Sequence, residues 1–352
     1  MPKTALFLGA GASRAFGYPT TLEFVNELKD VLKPLEKTIL NSILKSPKVS
    51  DIEHVLQKLD PIINPESIDY LGGVLKGSSI STQIFGTEVK WETFISSCQK
   101  LKQSIIAELY SQYEFNRTKL DEIIKCFTAL GSILCDVNQL KELHVFTTNY
   151  DSVIENYCIY CDKQMEFTCG FRTDRRSGRH FWYPEELKKW DRSKRAGRIR
   201  LYKLHGSLDW RETADGRIER VPTEERISPR TRRYKRNIII YPAQKNYAVE
   251  EPFRRLQKYL ENVLSQHDLC LVIGFSFRDP LVNNTFLDFL GVNNKRRLVI
   301  SPHAIRDVEE NLTIGEPKLR KQITSLNMRF GEEDTFRAIE EALQLKKTEQ
   351  PQ

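Results

Sequence analysis

Two spacings of apolar residues alternate along this chain, and each predicts a different kind of secondary structure. Between residues 20 and 139 the apolar positions return every three or four residues, as in Leu22, Val25 and Leu28, which is the spacing of an amphipathic helix. Prolines and glycines interrupt the stretch and divide it into several helices. We therefore expect an all-helical segment over residues 20–139.

Short apolar runs typical of buried strands lie on both sides of this segment. The first is Thr4–Gly9, and the later ones alternate with helical stretches, which indicates a doubly wound α/β sheet. The later strands are predicted at 143–148, 199–204, 237–241, 269–274 and 297–301, with a weaker one at 323–330, and the helices at 249–264, 280–290 and 332–345. A hairpin or loop excursion is expected between residues 209 and 236.

The fold class that follows is α/β, a Rossmann-like, mostly parallel sheet with a large all-helical insertion after the first strand. Residues 1–19 and 140–346 are expected to form the Rossmann-like domain, residues 20–139 the helical insertion, and residues 347–352 a frayed tail. The length of 352 residues agrees with one domain that carries a large insertion.

Composition narrows the class of protein. Apolar residues make up 40% and charged residues 29%, as in globular proteins. No run approaches the ~20 apolar residues of a membrane helix, and the first residues do not read as a secretory signal. The seven cysteines are an odd number, which favours a reducing compartment, and we expect a cytoplasmic protein. Cys158 and Cys161 have the C-x-x-C spacing with Cys169 nearby, which is too few for a typical structural zinc site.

The net charge of +7 is unevenly distributed. The block from Arg172 to Arg236 contains 21 lysines and arginines against 10 acidic residues. It also carries aromatic residues, among them Phe181, Trp182 and Trp190. Such a block either meets a phosphate-rich partner such as nucleic acid or is a solvated loop and hairpin surface.

A glycine-rich turn follows the first strand directly and contains Gly9, Ala10, Gly11, Ala12 and Ser13. Glycines at such positions let the backbone turn tightly and approach a pyrophosphate, and the amides of the next helix point at the anion. The third glycine of the dinucleotide fingerprint is missing, and no acidic residue follows where a dehydrogenase needs one. Hydride transfer is therefore disfavoured, and a plain strand-to-helix turn is the structural alternative.

Polar residues also follow the strand at 143–148. Thr148 and Asn149 come first, and Asp151 follows them. Asparagine both donates and accepts hydrogen bonds and an aspartate accepts them, so this turn suits the hydroxyls of a ribose or the positioning of a water molecule. The alternative for Asp151 is a helix N-cap.

His205 ends the next strand and precedes a glycine. Histidine is the natural general base near neutral pH, and the glycine leaves space on one side for a ligand. A purely structural histidine is the alternative. The other five histidines have no comparable context.

Two further strand ends complete the set. Gly274, Phe275 and Ser276 close the strand at 269–274, where the glycine permits close approach and the serine offers a hydroxyl. Asp279 precedes a proline and is assigned to the N-cap of the next helix. Ser301 ends the following strand and could line an adenine site. Together, these strand ends of one sheet indicate a dinucleotide cleft.

The ordered set GAGAS, TTNYD, LHGS and GFS resembles the sirtuin family, and most closely the sirtuin-like NAD hydrolases of prokaryotic antiviral defence. The resemblance covers residues 1–19 and about 140–305. It implies a Rossmann-type fold with NAD as substrate. It assigns the phosphates to Gly9–Ser13, the nicotinamide ribose and the catalytic water to Asn149 and Asp151, the base to His205, and the adenosine side to Gly274 with Ser276.

Two departures from the protein-deacylating sirtuins bear on the activity. Thr148 stands where those enzymes have glutamine, and only Cys270 follows His205, so their four-cysteine zinc module is missing. Because that module helps to build the groove for the acyl-lysine peptide, the resemblance favours hydrolysis over deacylation. No metal is expected.

The expected function is therefore an NAD glycohydrolase, with Asn149 and His205 as catalytic residues, that depletes NAD in antiphage defence. The resemblance implies a homo-oligomer that is activated by a partner protein such as a HerA-like ATPase or an Argonaute-like protein. Two alternatives stay open: an NAD-dependent protein deacylase, and a nucleic-acid-binding or scaffold subunit with a vestigial NAD site, which the basic block motivates.

Overall fold

The structure of the chain is a computed structural model. It describes residues 3–46, 52–63, 79–80, 89–138, 142–160, 166–189, 198–221, 234–240, 250–292, 296–313 and 316–348. The chain divides into two compact units. The first comprises Met1–Tyr18, Phe115–Ile240 and Asn246–Gln352, and the second comprises Pro19–Glu114 and Tyr241–Lys245.

The strands are numbered along the chain. They are β1 (Thr4–Leu8), β2 (Ser79–Ile80), β3 (Val89–Lys90), β4 (Glu142–Thr147), β5 (Glu166–Thr168), β6 (Phe171–Thr173), β7 (His180–Trp182), β8 (Arg198–Lys203), β9 (Gly206–Thr213), β10 (Ile218–Arg220), β11 (Tyr234–Ile239), β12 (Leu269–Ile273), β13 (Arg296–Ser301) and β14 (Ile323–Asn327).

A seven-stranded parallel sheet organises the first unit. Its strand order is β14-β13-β12-β1-β4-β8-β5, and every pairing in it is parallel. From β1 the chain continues to β4 and β8 on one side and later returns to β12, β13 and β14 on the other. The direction of winding thus reverses between β1 and β12, which is the topological switch point where doubly wound sheets bind ligands. The predicted α/β class with a parallel sheet is confirmed.

Helices of the first unit lie between these strands and after the last of them. They are Ala10–Arg14, Leu120–Asn138, Val153–Tyr160, Phe253–Ser265, Pro280–Gly291, Ala304–Asp307 and Glu333–Thr348. All five residues of β1 and of β12 are buried, as expected for central parallel strands that are covered on both faces. This double burial explains why the two strands read as continuous apolar runs.

The second unit is mainly helical, as its apolar periodicity predicts. Its helices are Thr21–Val31, Pro34–Leu44, Ile52–Ile63 and Trp91–Gln112. Thr20 caps the first of them, because its side chain accepts a hydrogen bond from Glu23 N while the Glu23 carboxylate accepts one from Thr20 N. Phe24 and Leu101 are among its fully buried side chains.

The boundary of the insertion differs from the expected one. The predicted insertion ran to residue 139, whereas the compact units place residues 115–138 with the parallel sheet. Phe127 on the helix Leu120–Asn138 shows why, since its ring lies 5.8 Å from Phe16 and 5.6 Å from Phe330, both in the first unit. Periodicity identifies a helix but does not say which body it packs on.

A second sheet was largely missed by the sequence analysis. It is antiparallel, with the order β11-β9-β10-β7-β6. The strand predicted at 237–241 belongs to it as β11 rather than to the parallel sheet, and its last predicted residue lies outside the described part of the chain. Phe171, Trp182 and Trp210 pack together on this sheet, with ring centroids 5.1–5.7 Å apart.

Within the part of the chain that the structure describes, no helix is long and apolar enough to cross a membrane. The predicted tail is described only to Thr348, which ends the last helix.

Candidate functional site

The parallel sheet aligns the ends of its central strands in one row. Leu8 of β1 pairs with Ile273 of β12 and with Thr147 of β4, and Thr147 pairs with Lys203 of β8. Neighbouring strands lie about 4.8 Å apart. The turns that carry the predicted site residues therefore begin at the same level of the sheet.

The glycine turn after β1 packs backbone to backbone against the turn after β12. Gly9 N donates a hydrogen bond to Ile273 O and Gly11 N donates one to Gly274 O, each at 2.9 Å. A Cβ atom at Gly9 would lie 2.5 Å from Gly274 O, and one at Gly11 would lie 2.8 Å from Gly274 Cα. Gly274 itself has a φ of +66°. Contact between the two turns thus requires these glycines, whereas the sequence suggested the approach of a pyrophosphate.

The helix Ala10–Arg14 follows Gly9 and is only one turn long. Ala12 N donates to Gly9 O at 2.9 Å. Together with the bonds of the two glycines, this places the amides of residues 9, 11 and 12 in hydrogen bonds inside the protein. The turn therefore offers an anion fewer amides than the motif alone suggests.

Asn149 ties the turn after β4 to the turn after β1. Its Nδ2 donates to Gly9 O and to Ser13 Oγ, both at 2.9 Å. Its backbone N donates to Thr147 Oγ1 at 3.0 Å, and the residue is 9% exposed. Two motifs that lie far apart in the sequence thus meet at one asparagine side chain.

Asp151 uses one carboxylate oxygen for structure. Its Oδ1 accepts a hydrogen bond from Val153 N at 3.0 Å, at the start of the helix Val153–Tyr160, which is close to the N-cap role that the sequence offered as an alternative. Its Oδ2 is buried and has no hydrogen-bond partner among the described residues. Because a buried acceptor without a donor costs free energy, this oxygen marks a place that favours a donor from a bound molecule.

A small cavity with a mixed polar and apolar lining lies beside these side chains and is comparable in size to a water molecule. It is lined by Leu8, Ala12, Ser13, Phe127, Thr147, Asn149, Asp151, Val153, Ile154 and Glu155. Burial and the nearby Asp151 carboxylate raise the pKa of Tyr18, which keeps its hydroxyl protonated.

Lys203 is a site residue that the sequence analysis missed. Its side chain is 1% exposed, and its ammonium contacts the Asp151 carbonyl and lies 3.0 Å from Glu155 Oε1 and 2.9 Å from Ser207 Oγ. It thereby holds the turn after β4 against the start of β9. Its signal in the sequence is a lysine two residues before the histidine, but only the sheet register shows that it is buried.

His205 forms a buried pair with Asp279. His205 Nε2 lies 2.8 Å from Asp279 Oδ2, and both side chains are at most 2% exposed. Asp279 Oδ1 also accepts hydrogen bonds from Leu281 N at 2.9 Å and Val282 N at 3.3 Å, which confirms its predicted N-cap role. The contact with the histidine is the part that the sequence did not reveal.

The space expected beside Gly206 is filled by the protein itself. Gly206 has a φ of +81°, and a Cβ atom there would lie 2.1 Å from Ile238 O. The His205 carbonyl accepts a hydrogen bond from Ile240 N at 2.9 Å. The glycine therefore allows β9 to turn back beside β11 and does not open room for a ligand.

The turn after β12 buries Phe275 and Phe277 and leaves Ser276 half-buried. Phe275 is 7% exposed and its ring lies 4.8 Å from that of Phe7, so it belongs to the core and not to a ligand surface. Phe277 is buried with a φ of +55°, a conformation that is rare for a bulky residue. Ser276 is half-buried, and its carbonyl accepts a hydrogen bond from Asn311 Nδ2 at 2.9 Å.

Two other predicted residues have local roles. Ser301 Oγ donates to Asp307 Oδ2 at 3.2 Å and accepts a hydrogen bond from His303 N at 3.1 Å, so the hydroxyl organises the turn after β13. Burial raises the pKa of Asp307, and the Ser301 hydroxyl opposes that shift. Thr148 is half-buried, and its backbone N donates to Leu8 O at 3.2 Å.

The row of strand ends therefore brings Gly9, Ser13, Asn149 and Asp151 into direct or adjacent contact. His205 follows Lys203, the end of β8, by two residues, just as Asn149 follows Thr147, the end of β4. It is not among the lining residues of the small cavity. Its described polar partner is Asp279, from the far side of the switch point.

The basic block is largely neutralised within the described residues. Most of its described lysines and arginines pair with carboxylates, for example in Arg172–Glu186, Arg179–Glu219, Arg217–Asp215, Arg220–Asp209 and Arg236–Glu212. Arg175 and Arg176 are exposed beside the turn that joins β6 to β7. Trp190 of the block lies outside the described residues.

Cysteines and metal ligands do not cluster in the part of the chain that the structure describes. Burial raises the pKa of Cys169 to about 11 and that of Cys270 to about 12, so both are unreactive thiols. Cys158 lies on the helix Val153–Tyr160, and Cys161 lies outside the described residues.

Comparison with known proteins adds a family match. A family model described as a SIR2-like domain matches residues 143–322, just over half of the chain. This range runs from β4 to the residue before β14 and includes Asn149, His205 and Asp279. No curated protein matches the sequence significantly.

Similar solved structures include several Sir2 homologues. A Sir2 homologue in complex with NAD is 13% identical, over 97% of this chain and 90% of that chain, with a TM-score of 0.46. A mutant Sir2 homologue with ADP-ribose is 12% identical, over 99% and 94%, with a TM-score of 0.44. Sir2Tm bound to a propionylated peptide is 11% identical, over 97% and 92%, with a TM-score of 0.43.

Proposed function

Because the chain belongs to the SIR2-like domain family, we propose that it is an NAD glycohydrolase. The reaction would cleave the bond between nicotinamide and ribose in NAD and release nicotinamide and ADP-ribose. NAD is then the substrate, and the chemistry needs no metal ion.

One arrangement carries this proposal. Asn149 and His205 each follow a strand end by two residues, and those ends, Thr147 and Lys203, pair in register on adjacent parallel strands. The Asn149 amide is fixed by Gly9 O and Ser13 Oγ. An amide and an imidazole thus stand at the carboxyl edge beside the switch point, where doubly wound sheets bind nucleotides.

The polar groups fit a ribose. Asp151 Oδ2 is buried without a hydrogen-bond partner among the described residues, and a ribose hydroxyl supplies the donor that this oxygen lacks. Asn149 lines the same small cavity. Because this cavity has room for about one water molecule, we infer that the attacking water, or a single ribose hydroxyl, meets these two side chains.

The residues also suit the chemistry. Loss of nicotinamide builds positive charge on the sugar, as in other glycosidic cleavages, and nicotinamide is already a good leaving group. The site then has to hold the ribose, place one water molecule and accept a proton. Positioning contributes up to ~7–11 kcal/mol, and a general base contributes about 10²–10⁴-fold in rate. We assign the positioning to Asn149 and Asp151 and the base to His205.

The sequence favours hydrolysis over deacylation. Thr148 replaces the glutamine of protein-deacylating sirtuins, and Cys270 is the only cysteine after His205. A four-cysteine zinc module cannot be built from one cysteine. The peptide groove that this module supports in those enzymes is therefore not expected here.

We further propose that the enzyme depletes NAD in antiphage defence and is activated by a partner. The resemblance to defence-type hydrolases supports this role, together with the helical segment between β1 and β4. A homo-oligomer and a partner such as a HerA-like ATPase or an Argonaute-like protein remain part of the proposal. Within the part of the chain that the structure describes, the exposed Arg175 and Arg176 are the candidates for contact with a phosphate-rich partner.

The central test is chromatography of NAD, nicotinamide and ADP-ribose after incubation with the protein, alone and in extract from infected cells. We expect nicotinamide release by the unmodified protein and its loss in Asn149→Ala and His205→Ala. Asn156→Ala and His180→Ala are the matched controls, because the Asn156 side chain bonds Ser152 at the start of its own helix and His180 is exposed. Thermal unfolding of each variant shows whether the fold is retained.

Equal NAD consumption by both folded site variants would contradict the proposal. Production of O-acetyl-ADP-ribose from an acetyl-lysine peptide, without hydrolysis of NAD alone, would instead support the deacylase. Salt-dependent binding of nucleic acid without turnover of NAD would support the scaffold alternative.

A further inference from the structure

We propose that Asp279 is a positioning residue that orients His205 and fixes its tautomer. Nothing in the sequence motifs assigns this role, because Asp279 reads as a helix N-cap. The kinetic part of the inference rests on the proposed function, while the structural part concerns the imidazole alone.

The contact has the geometry of a working acid–histidine pair. His205 Nε2 and Asp279 Oδ2 are 2.8 Å apart, and the two side chains are 2% and 1% exposed. A carboxylate only accepts hydrogen bonds, so the imidazole proton at this contact lies on Nε2. Nδ1 is then the basic nitrogen of the neutral ring. The same carboxylate stabilises the imidazolium that forms when Nδ1 takes a proton, as buried aspartates do for histidine bases in hydrolytic enzymes.

Asp279 is held rigidly from its other side. Its Oδ1 accepts hydrogen bonds from Leu281 N and Val282 N at the start of the helix Pro280–Gly291. One oxygen is thus committed to the helix and the other to His205. This division fixes the carboxylate plane and therefore the direction from which it meets the imidazole.

The backbone before Asp279 is strained and firmly supported. Phe277 has a φ of +55°, and its carbonyl accepts a hydrogen bond from Asn283 Nδ2 at 2.5 Å. Its ring packs 5.1 Å from Phe275 and 5.7 Å from Phe286. Strain of this kind persists only where the surroundings determine it, and it occurs preferentially at functional sites. Here it brings Asp279 from the far side of the switch point to the histidine.

His205 is anchored as well. Its carbonyl accepts a hydrogen bond from Ile240 N at 2.9 Å, and Gly206 has the positive φ that the corner between β8 and β9 requires. Both members of the pair therefore sit on fixed backbone. The pair connects the histidine turn on one side of β1 with the turn after β12 on the other.

Asp279→Asn is the decisive variant. Asparagine is as good an N-cap as aspartate, so the helix keeps its cap. Its amide nitrogen, however, can donate to His205 Nε2, which moves the ring proton to Nδ1 and removes the basic nitrogen from its working position. We expect kcat for nicotinamide release to fall at least about 100-fold, while KM and the affinity for ADP-ribose change by less than about 3-fold.

The tautomer is measured directly by ¹⁵N NMR of protein labelled in its six histidines, with the His205 signals assigned by their loss in His205→Ala. We expect a proton on Nε2 in the unmodified protein and on Nδ1 in Asp279→Asn. Thr285→Val is the matched control on the same helix, because it breaks the 2.7 Å bond from Gln257 Nε2 to Thr285 Oγ1 without touching the pair. It should keep both the turnover and the tautomer.

Each outcome decides one question. Unchanged turnover in Asp279→Asn, or the same His205 tautomer in both proteins, overturns the positioning role. A loss of turnover in Thr285→Val as large as that in Asp279→Asn also overturns it, because the helix alone would then explain the effect. If the unmodified protein does not hydrolyse NAD, the proposed function fails, and the tautomer measurement still decides the positioning role by itself.

Discussion

At the residue scale, three glycines show that a glycine-rich turn can be required by contact with protein backbone instead of contact with a nucleotide. Gly9 and Gly11 face Gly274, and a Cβ atom on any of them would lie less than 3 Å from backbone of the opposing turn. Steric contact between two strand ends is therefore enough to require glycine. The sequence locates the turn correctly, but it does not distinguish close packing of protein backbone from close approach of a phosphate.

This distinction leads to a prediction on stability. Gly11→Ala should lower the free energy of unfolding by about 1–3 kcal/mol, because the new methyl group would lie 2.8 Å from Gly274 Cα and overpack the contact. Gly291→Ala is the control, since Gly291 ends the helix Pro280–Gly291 and, apart from its chain neighbours and the backbone of its own helix, no described atom lies within 4 Å of a Cβ atom placed there. Urea unfolding of both variants measures the difference, and equal stability of the two would show that the turns can separate at no cost.

Central strands of the parallel sheet were the most predictable part of the fold. The strands predicted at 143–148, 199–204 and 269–274 differ from β4, β8 and β12 by one residue at one or both ends. Short runs rich in apolar residues determine them locally, and a terminal glycine marks the end of the third. Their register then determines the common level of the site residues, which is why strand-end residues could be predicted as a group.

The second sheet escaped prediction for the opposite reason. β6, β7 and β10 have three residues each, too few for a period to be recognised. Their stability comes from pairings and aromatic contacts between distant parts of the chain, such as Phe171 with Trp210. The burial of Lys203 and the contact between Asp279 and His205 escaped prediction for the same reason. Both depend on which elements the fold brings together.

The Lys203–Glu155 pair yields a prediction at the scale of elements, because it links β8 to the helix after β4. Both side chains are at most 4% exposed and lie 3.0 Å apart. Lys203→Met leaves the Glu155 carboxylate buried without its cation, so we expect a loss of about 3–5 kcal/mol in the free energy of unfolding.

A double-mutant cycle tests this coupling. Lys203→Met with Glu155→Leu should be more stable than Lys203→Met alone, because no uncompensated charge is then buried. Denaturant unfolding at neutral pH gives the coupling free energy. A double variant whose loss equals the sum of the single losses would show that the two charges do not depend on each other.

At the scale of the whole sheet, its two edges differ in character. The carboxyl edge holds a buried carboxylate oxygen without a described partner and the pair of His205 with Asp279. Toward the amino ends of β4, β5 and β8, ion pairs are satisfied locally, as in Arg198–Glu166 and Arg200–Glu142. Function is thus expected at one edge, and the other edge is built for stability.

His144, which lies toward the amino end of β4, makes the stability of the protein depend on pH. Its Nδ1 is hydrogen-bonded to Tyr202 OH at 2.9 Å, Glu142 Oε2 lies 3.9 Å from its Nε2, and the His267 ring lies 5.2 Å away. Burial, the neighbouring His267 and the charge of Arg200 lower the pKa of His144 to about 3. In the unfolded chain its pKa is about 6.5. Between these values the unfolded state binds a proton that the folded state does not, so stability falls as the pH decreases below 6.5.

We therefore expect His144 to lower the free energy of unfolding by about 2 kcal/mol between pH 7 and pH 5. Urea unfolding at both pH values measures the total change, to which carboxylates also contribute, and His144→Gln isolates the part due to this residue because glutamine does not titrate. The exposed His180→Gln serves as the control and should leave the pH dependence as it is. If His144→Gln loses as much stability on acidification as the unmodified protein, His144 is not the group that makes this edge sensitive to acid.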